Sequence, residues 1–175
     1  DSMQNGIGAI EQMLDEAGNH SPKLVRMVAT GAVRNASNGE LFAKQVEDAT
    51  GHSLEILSGD EEAFGIVKGL MSDPLLCDLQ DFVACDIGGG SLELIKVEKR
   101  VPEATVSLPL GAIHLTERFI TSPKAAIPLG EIEAISGHVS QTLPECKFPF
   151  PQDPPVLVLT GGSFFTAQAI LAKRE

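Results

Sequence analysis

The chain has 175 residues and a net charge of −11, with 43% hydrophobic and 21% charged residues. This is the balance of an ordinary globular protein, and its acidity excludes the basic surface that a nucleic-acid binder needs. No apolar run reaches the roughly 18 residues of a membrane span. No secretory leader is expected, and Tyr and Trp, the usual base-stacking platforms, are absent.

Ile7, Ile10, Leu14 and Ala17 recur at helical spacing, and Gly18 is expected to close this first helix. Leu24 to Ala29 reads as a strand bounded by Pro22 and Gly31. The polar stretch Thr30 to Gly39 leaves its end, where ligand residues gather in open α/β sheets. Arg34 is therefore a candidate anion ligand, since a guanidinium matches phosphate oxygens two at a time. A surface arginine near a helix start is the alternative. Phe42, Val46 and Ala49 mark the next helix, ended by Gly51, and Ser53 to Leu57 forms another strand.

Ser58-Gly59-Asp60-Glu61-Glu62-Ala63-Phe64 opens a helix whose apolar face is Ala63, Ile66, Val67 and Leu70. Ser58 and Glu61 have capping-box spacing, and first-turn acids suit the helix dipole. At about 100° per residue, Glu61 points nearly opposite the apolar stripe, whereas Glu62 lies on its flank. Capping accounts for Glu61 and leaves Glu62 as the better candidate for a general base. Ser72 to Asp81, with Pro74 inside it, reads as a linker that divides residues 1–80 from 81–175.

Phe82-Val83-Ala84-Cys85 is a short apolar run of the buried-strand kind, and Leu92 to Glu98 alternates like a half-exposed strand. Between them lies Asp86-Ile87-Gly88-Gly89-Gly90-Ser91, a hairpin tip without side-chain bulk. Its N–H groups can converge on an anion. Asp86 enters the tip and Glu93 leaves it, a layout suited to a phosphate meeting a divalent cation. An ordinary hairpin turn is the plainer alternative. A P-loop is excluded, because no Gly-Lys-[Ser/Thr] follows and the chain continues as a strand.

A third antiparallel strand, about Ala104 to Leu108, is reached through Arg100-Val101-Pro102, and Pro109 to Glu117 turns the chain into a helix. His114 is expected on or near that helix surface rather than as a ligand, since no second His or Cys is spaced to help it. Ile132, Ile135, Val139 and Leu143 define a helix stopped by Pro144. Five of the eleven prolines fall between Pro144 and Pro155, a stiff irregular loop. Val156 to Leu159 is a buried strand, and Thr160-Gly161-Gly162-Ser163 leads into a last helix, either a second anion-accepting corner or plain helix packing. Cys77, Cys85 and Cys146 are odd in number and lack metal-ligand spacing, so reduced thiols in a cytoplasm are expected.

Taken together, the motifs resemble those of the exopolyphosphatase/guanosine pentaphosphate phosphohydrolase (Ppx/GppA phosphatase) family of the actin-like ATPase superfamily. The motifs are Ala29-Thr30-Gly31-Ala32-Val33-Arg34 with Asn38, Ser58 to Ala63, Asp86 to Glu93, Ser107 to Ala112, and Thr160-Gly161-Gly162. Leu92 stands where threonine is usual. The resemblance implies an α/β, ribonuclease-H-like (actin-like ATPase) fold of two lobes with mixed sheets and the active site in the cleft between them. Residues 1–80 would be the C-terminal part of the first lobe and 81–175 the N-terminal part of the second. The chain would lack the family's opening Asp-x-Gly-Ser hairpin and its last helices, so alone it is expected to turn over no substrate.

By the same resemblance, Glu62 matches the proposed general base, and Asp86 and Glu93 match catalytic carboxylates that hold Mg²⁺ (or Mn²⁺). Gly88, Gly89, Gly90 and Ser91 match the phosphate-holding hairpin, and Arg34 a phosphate-binding arginine. The implied activity is a phosphoanhydride hydrolase that releases terminal phosphate from polyphosphate or from pppGpp, the latter a link to the stringent response. It would work in the cytoplasm with no nucleic-acid or membrane partner, and a homodimer of the full-length protein stays open. The rivals are a nucleotide-binding module of the sugar-kinase kind and a catalytically silent sensor lobe.

Overall fold

The computed structural model describes residues 2–151 and 156–173. The chain divides into two compact units, residues 1–58 and 59–175. The division expected from sequence lay near residue 80. It moves because the helix after Ser58 buries Ala63 and Val67 against the sheet of the second unit.

In the first unit, helix α1 (Ser2–Asn19) packs on helix α3 (Gly39–Thr50), so closely that a Cβ on Gly6 would press on the Phe42 ring. Strands β1 (Met27–Ala29) and β2 (Leu54–Ile56) pair in parallel, with Val28 opposite Glu55. β1 is shorter than its apolar run, because β2 offers only three residues to pair with. Beside the strands, Arg26 grips the Glu55 carboxylate with two hydrogen bonds of 2.9 and 2.8 Å. The short helix α2 (Gly31–Arg34) follows β1 directly. Gly51, at φ +72°, ends α3 in the left-handed conformation that suits glycine.

The second unit is built on a four-stranded sheet in the order β5-β4-β3-β6. Strands β3 (Phe82–Ile87), β4 (Leu92–Glu98) and β5 (Val101–Leu108) run antiparallel in sequence, as expected, and β6 (Val156–Thr160) joins β3 in parallel. One face carries Phe82, Ala84, Ile95, Val97 and Val158 and is covered by helix α4 (Gly59–Met71). The other face carries Val83, Leu92, Leu94 and Leu108. It meets Leu115 of helix α5 (Ala112–Phe119) and Val139 and Leu143 of helix α6 (Leu129–Glu145). Helix α7 (Gly162–Ala172) follows β6.

Two proline expectations differ from the structure. β5 begins at Val101 and so includes Pro102, which is tolerated because β5 is an edge strand and a register shift lies opposite, between Lys96 and Val97. α6 runs through Pro144 to Glu145. A proline there removes the bond its own N–H would have made and sets its ring against the carbonyl four residues back, and the helix ends one residue later. Of the proline-rich stretch, residues 152–155 lie outside the described residues. No helix among the described residues is long and apolar enough to cross a membrane.

Candidate active site

The register of the four strands sets Ser107, Glu93, Asp86 and Thr160 in one row, each the Cα partner of the next. Residues opposite one another in register point to the same side of a sheet. This polar row therefore lies on the α4 face, one step beyond the buried Ala84, Ile95 and Val158. The first turn of α4 stands at the same end, where Asp60 Oδ1 accepts a hydrogen bond of 3.1 Å from the Thr105 hydroxyl.

Within that turn Glu61 is exposed and Glu62 half-buried, as the angular argument requires. Burial first, and the Glu62 charge second, hold the Asp86 carboxyl above the usual carboxylate range. Glu93 is only 7% exposed, and its Oε1 accepts a 2.9 Å hydrogen bond from Ser107 Oγ. On the other face Cys85 is pushed up to about 11 by burial, then by the Asp86 and Glu93 charges, which leaves it an unreactive thiol at neutral pH.

The raised Asp86 carboxyl yields a stability prediction. A folded-state pKa above the unfolded one means a contribution to stability that is complete below about pH 4 and is lost as pH rises through the folded value. In EDTA, Asp86→Asn is expected to melt at a higher temperature than the wild type at pH 7, with the gap closing towards pH 4. A gap independent of pH would show that the Asp86 charge is not the cause.

The glycine tip is not an ordinary turn. Gly88 N–H donates to the Ser91 carbonyl at 3.0 Å, but the reciprocal bond that closes a simple β-turn is replaced. The Gly88 carbonyl accepts instead from Ala112 at the start of α5. Behind the tip, Gly161 sits at φ +94°, ψ 160°, a region left almost entirely to glycine. A Cβ there would run into Asp86 Oδ1 and the Ile87 carbonyl, so Gly161 is what lets the end of β6 close onto Asp86.

Arg34 belongs to the first unit, beyond the carboxyl ends of β1 and β2. Its Nη1 donates to the Leu57 carbonyl at 2.9 Å. The second unit thus brings together Glu62, Asp86, Glu93 and the Gly88–Ser91 tip, with Arg34 on the other unit. Sequence reasoning passed over Ser107 as a partner of Glu93 and Thr160 as a neighbour of Asp86. Both lay inside quoted motifs, yet only the register pairs them.

Asp86 and Glu93 fit a divalent cation, being side by side in register with a third carboxylate, Glu62, acting on Asp86. Among the described residues no three His, Cys, Asp or Glu side chains form a metal cage. A pair of carboxylates is the donor set typical of Mg²⁺, which keeps several waters and shares phosphate oxygens.

The model of the Ppx/GppA phosphatase family matches residues 1–172. The chain belongs to that family. A Vibrio vulnificus protein named guanosine-5′-triphosphate,3′-diphosphate pyrophosphatase is 31% identical over 119 residues, 68% of this chain and 24% of that protein. Exopolyphosphatase 2 of Mycobacterium tuberculosis is 36% identical over 108 residues, 59% of this chain and 33% of its own. The crystal structure of the Aquifex aeolicus Ppx/GppA family member superposes with a TM-score of 0.70 at 24% identity, covering 96% of this chain and 52% of that one. The chain therefore spans a quarter to a third of these curated Ppx/GppA relatives and about half of the solved structure. The fold is α/β with a mixed sheet, shared with that Aquifex aeolicus structure.

Proposed function

We propose that the intact protein is a phosphoanhydride hydrolase that releases terminal phosphate from inorganic polyphosphate or from pppGpp, with Glu62 as general base. The observation that carries this reading is the position of Glu62. It is a half-buried carboxylate on the first turn of α4 whose charge acts on Asp86, at the sheet end that carries the glycine tip. The names of the Vibrio vulnificus and Mycobacterium tuberculosis relatives support the two substrates.

In the proposed reaction Glu62 takes a proton from water as its oxygen attacks the terminal phosphorus. The anhydride P–O bond breaks, its electron pair leaves with the penultimate phosphate, and orthophosphate is released. Gly88, Gly89, Gly90 and Ser91 hold the phosphate chain through their amides, and Arg34, in the first unit, is a further phosphate ligand. Asp86 and Glu93 would hold Mg²⁺ or Mn²⁺, which neutralises charge on phosphate oxygens when bound. A cytoplasmic setting is part of the proposal, supported by Cys77, Cys85 and Cys146, all free thiols.

Malachite-green assay of phosphate released from polyphosphate and from pppGpp tests the reading, with release from at least one expected. Transfer of phosphate from a nucleoside triphosphate to a sugar, with neither substrate hydrolysed, would overturn it in favour of a kinase. Activity is also expected to need a divalent cation, since two carboxylates beside a polyphosphate crowd negative charge into a 175-residue chain already at −11. Full activity in excess EDTA would rule that out.

A further inference from the structure

We propose that the first turn of α5 is a brace that turns three amides of the glycine tip outward as an anion cradle, with Gly111 as its positioning residue. The inference rests on the phosphate-binding role proposed for that tip. Three consecutive carbonyls of the tip are taken by the N–H groups opening α5. Gly88 O accepts from Ala112 at 3.0 Å, and Gly89 O from Ile113 at 2.8 Å and His114 at 3.1 Å. Gly90 O accepts from Gly111 at 3.3 Å. These donors are the ones a helix start ordinarily leaves unpaired. The positive end of α5 is thus spent on the hairpin rather than on a ligand.

No peptide bond in the described residues is cis, and in a trans peptide the C=O and N–H point in opposite directions. With the carbonyls of Gly88, Gly89 and Gly90 aimed at α5, the N–H groups of Gly89, Gly90 and Ser91 aim away from it. None of the three meets a backbone acceptor among the described residues. α5 packs through Leu115 on the Leu92 and Leu94 face, so the amides turn toward the face that carries Asp86 and Glu93. Three adjacent donors pointing one way form an anion-binding concavity.

Gly111 is needed for space rather than conformation. Its φ of −71° and ψ of 156° suit any residue. A Cβ there would collide with the Gly90 carbonyl carbon, Ser91 N and Gly89 O. At Gly89 the fit is looser, since an added Cβ would lie 3.0 Å from the exposed Ile113 side-chain tip, Cδ1. The Ser107-Leu108-Pro109-Leu110-Gly111-Ala112 segment thus joins the site at both ends, Ser107 on Glu93 and Gly111 under the tip.

The decisive variant is Ala112→Pro in the intact protein. Proline suits the first position of a helix, and Gly111 already has the backbone angles of a residue before proline, so α5 is retained. The substitution removes the N–H given to Gly88 O. Binding of tripolyphosphate, followed by calorimetry and by the amide NMR shifts of Gly89, Gly90 and Ser91, is expected to weaken at least about tenfold. Helix content by circular dichroism should stay unchanged. Gly111→Ala should act in the same direction. Ala112→Pro binding tripolyphosphate as tightly as the wild type would overturn the brace. So would a wild-type titration that leaves the three amides unshifted. The readout needs no turnover: a wild type that binds at these amides yet hydrolyses neither polyphosphate nor pppGpp refutes the hydrolase reading and leaves the brace standing.

Discussion

Glu62→Gln in the intact protein is expected to lower phosphate release by about 100-fold or more, the usual scale for loss of a general base. Glutamine keeps the size and hydrogen-bonding shape of the side chain but cannot take the proton from water. Folding should survive, because Glu62 flanks the apolar stripe of α4 while Ala63 and Val67 carry the packing. The contrast is Glu61→Gln, one residue earlier and exposed, which should leave turnover within a few-fold of the wild type. Removing the Glu62 charge also removes one of the two causes that raise Asp86. Asp86 should then titrate lower in Glu62→Gln, which NMR of its carboxyl carbon would follow. Equal turnover losses for the two glutamates would refute the assignment of the base.

Gly161→Ala is expected to carry a large structural penalty. Its backbone angles cost an L side chain about 1–3 kcal/mol on their own. The added Cβ must also displace both the Asp86 carboxylate and the Ile87 carbonyl. Against a total stability of about 5–15 kcal/mol, that is a large fraction. A marked fall in the urea midpoint is expected, with loss of turnover because the Asp86 carboxylate is pushed aside. Gly162→Ala is the control. It opens α7, and its Cβ would meet nothing within 4 Å, so stability should change by no more than about 0.5 kcal/mol. Gly161→Ala with wild-type stability and activity would show that the end of β6 is free to shift and does not hold Asp86.

The amino-acid sequence by itself determined most of the elements and, in α4, the direction of individual side chains. It passed over α2, read β4 as half-exposed where five of its seven residues are buried, and read β6 as buried where Val158 alone is. Apolar spacing marked α3 and α4, Gly51 marked the end of α3, and the angle between successive helical residues separated exposed Glu61 from half-buried Glu62. The short loop between β3 and β4 likewise brought Asp86 and Glu93 to one place, since a hairpin pairs what it joins. These features are legible because each depends on contacts within a few residues. Tertiary structure alone decided the rest. Ser107 meets Glu93, and Thr160 meets Asp86 across more than seventy residues of chain, only after β5 and β6 have chosen their registers. The edge position that admits Pro102 into β5 is a property of the whole sheet. The glycine tip read as a possible plain turn because its partner, the start of α5, lies some twenty residues on. Which peptide groups face outward was settled when that helix took the Gly88, Gly89 and Gly90 carbonyls. Local propensity sets each backbone segment, but a polar row or an outward-turned amide depends on which distant segment supplies the other hydrogen-bonding group.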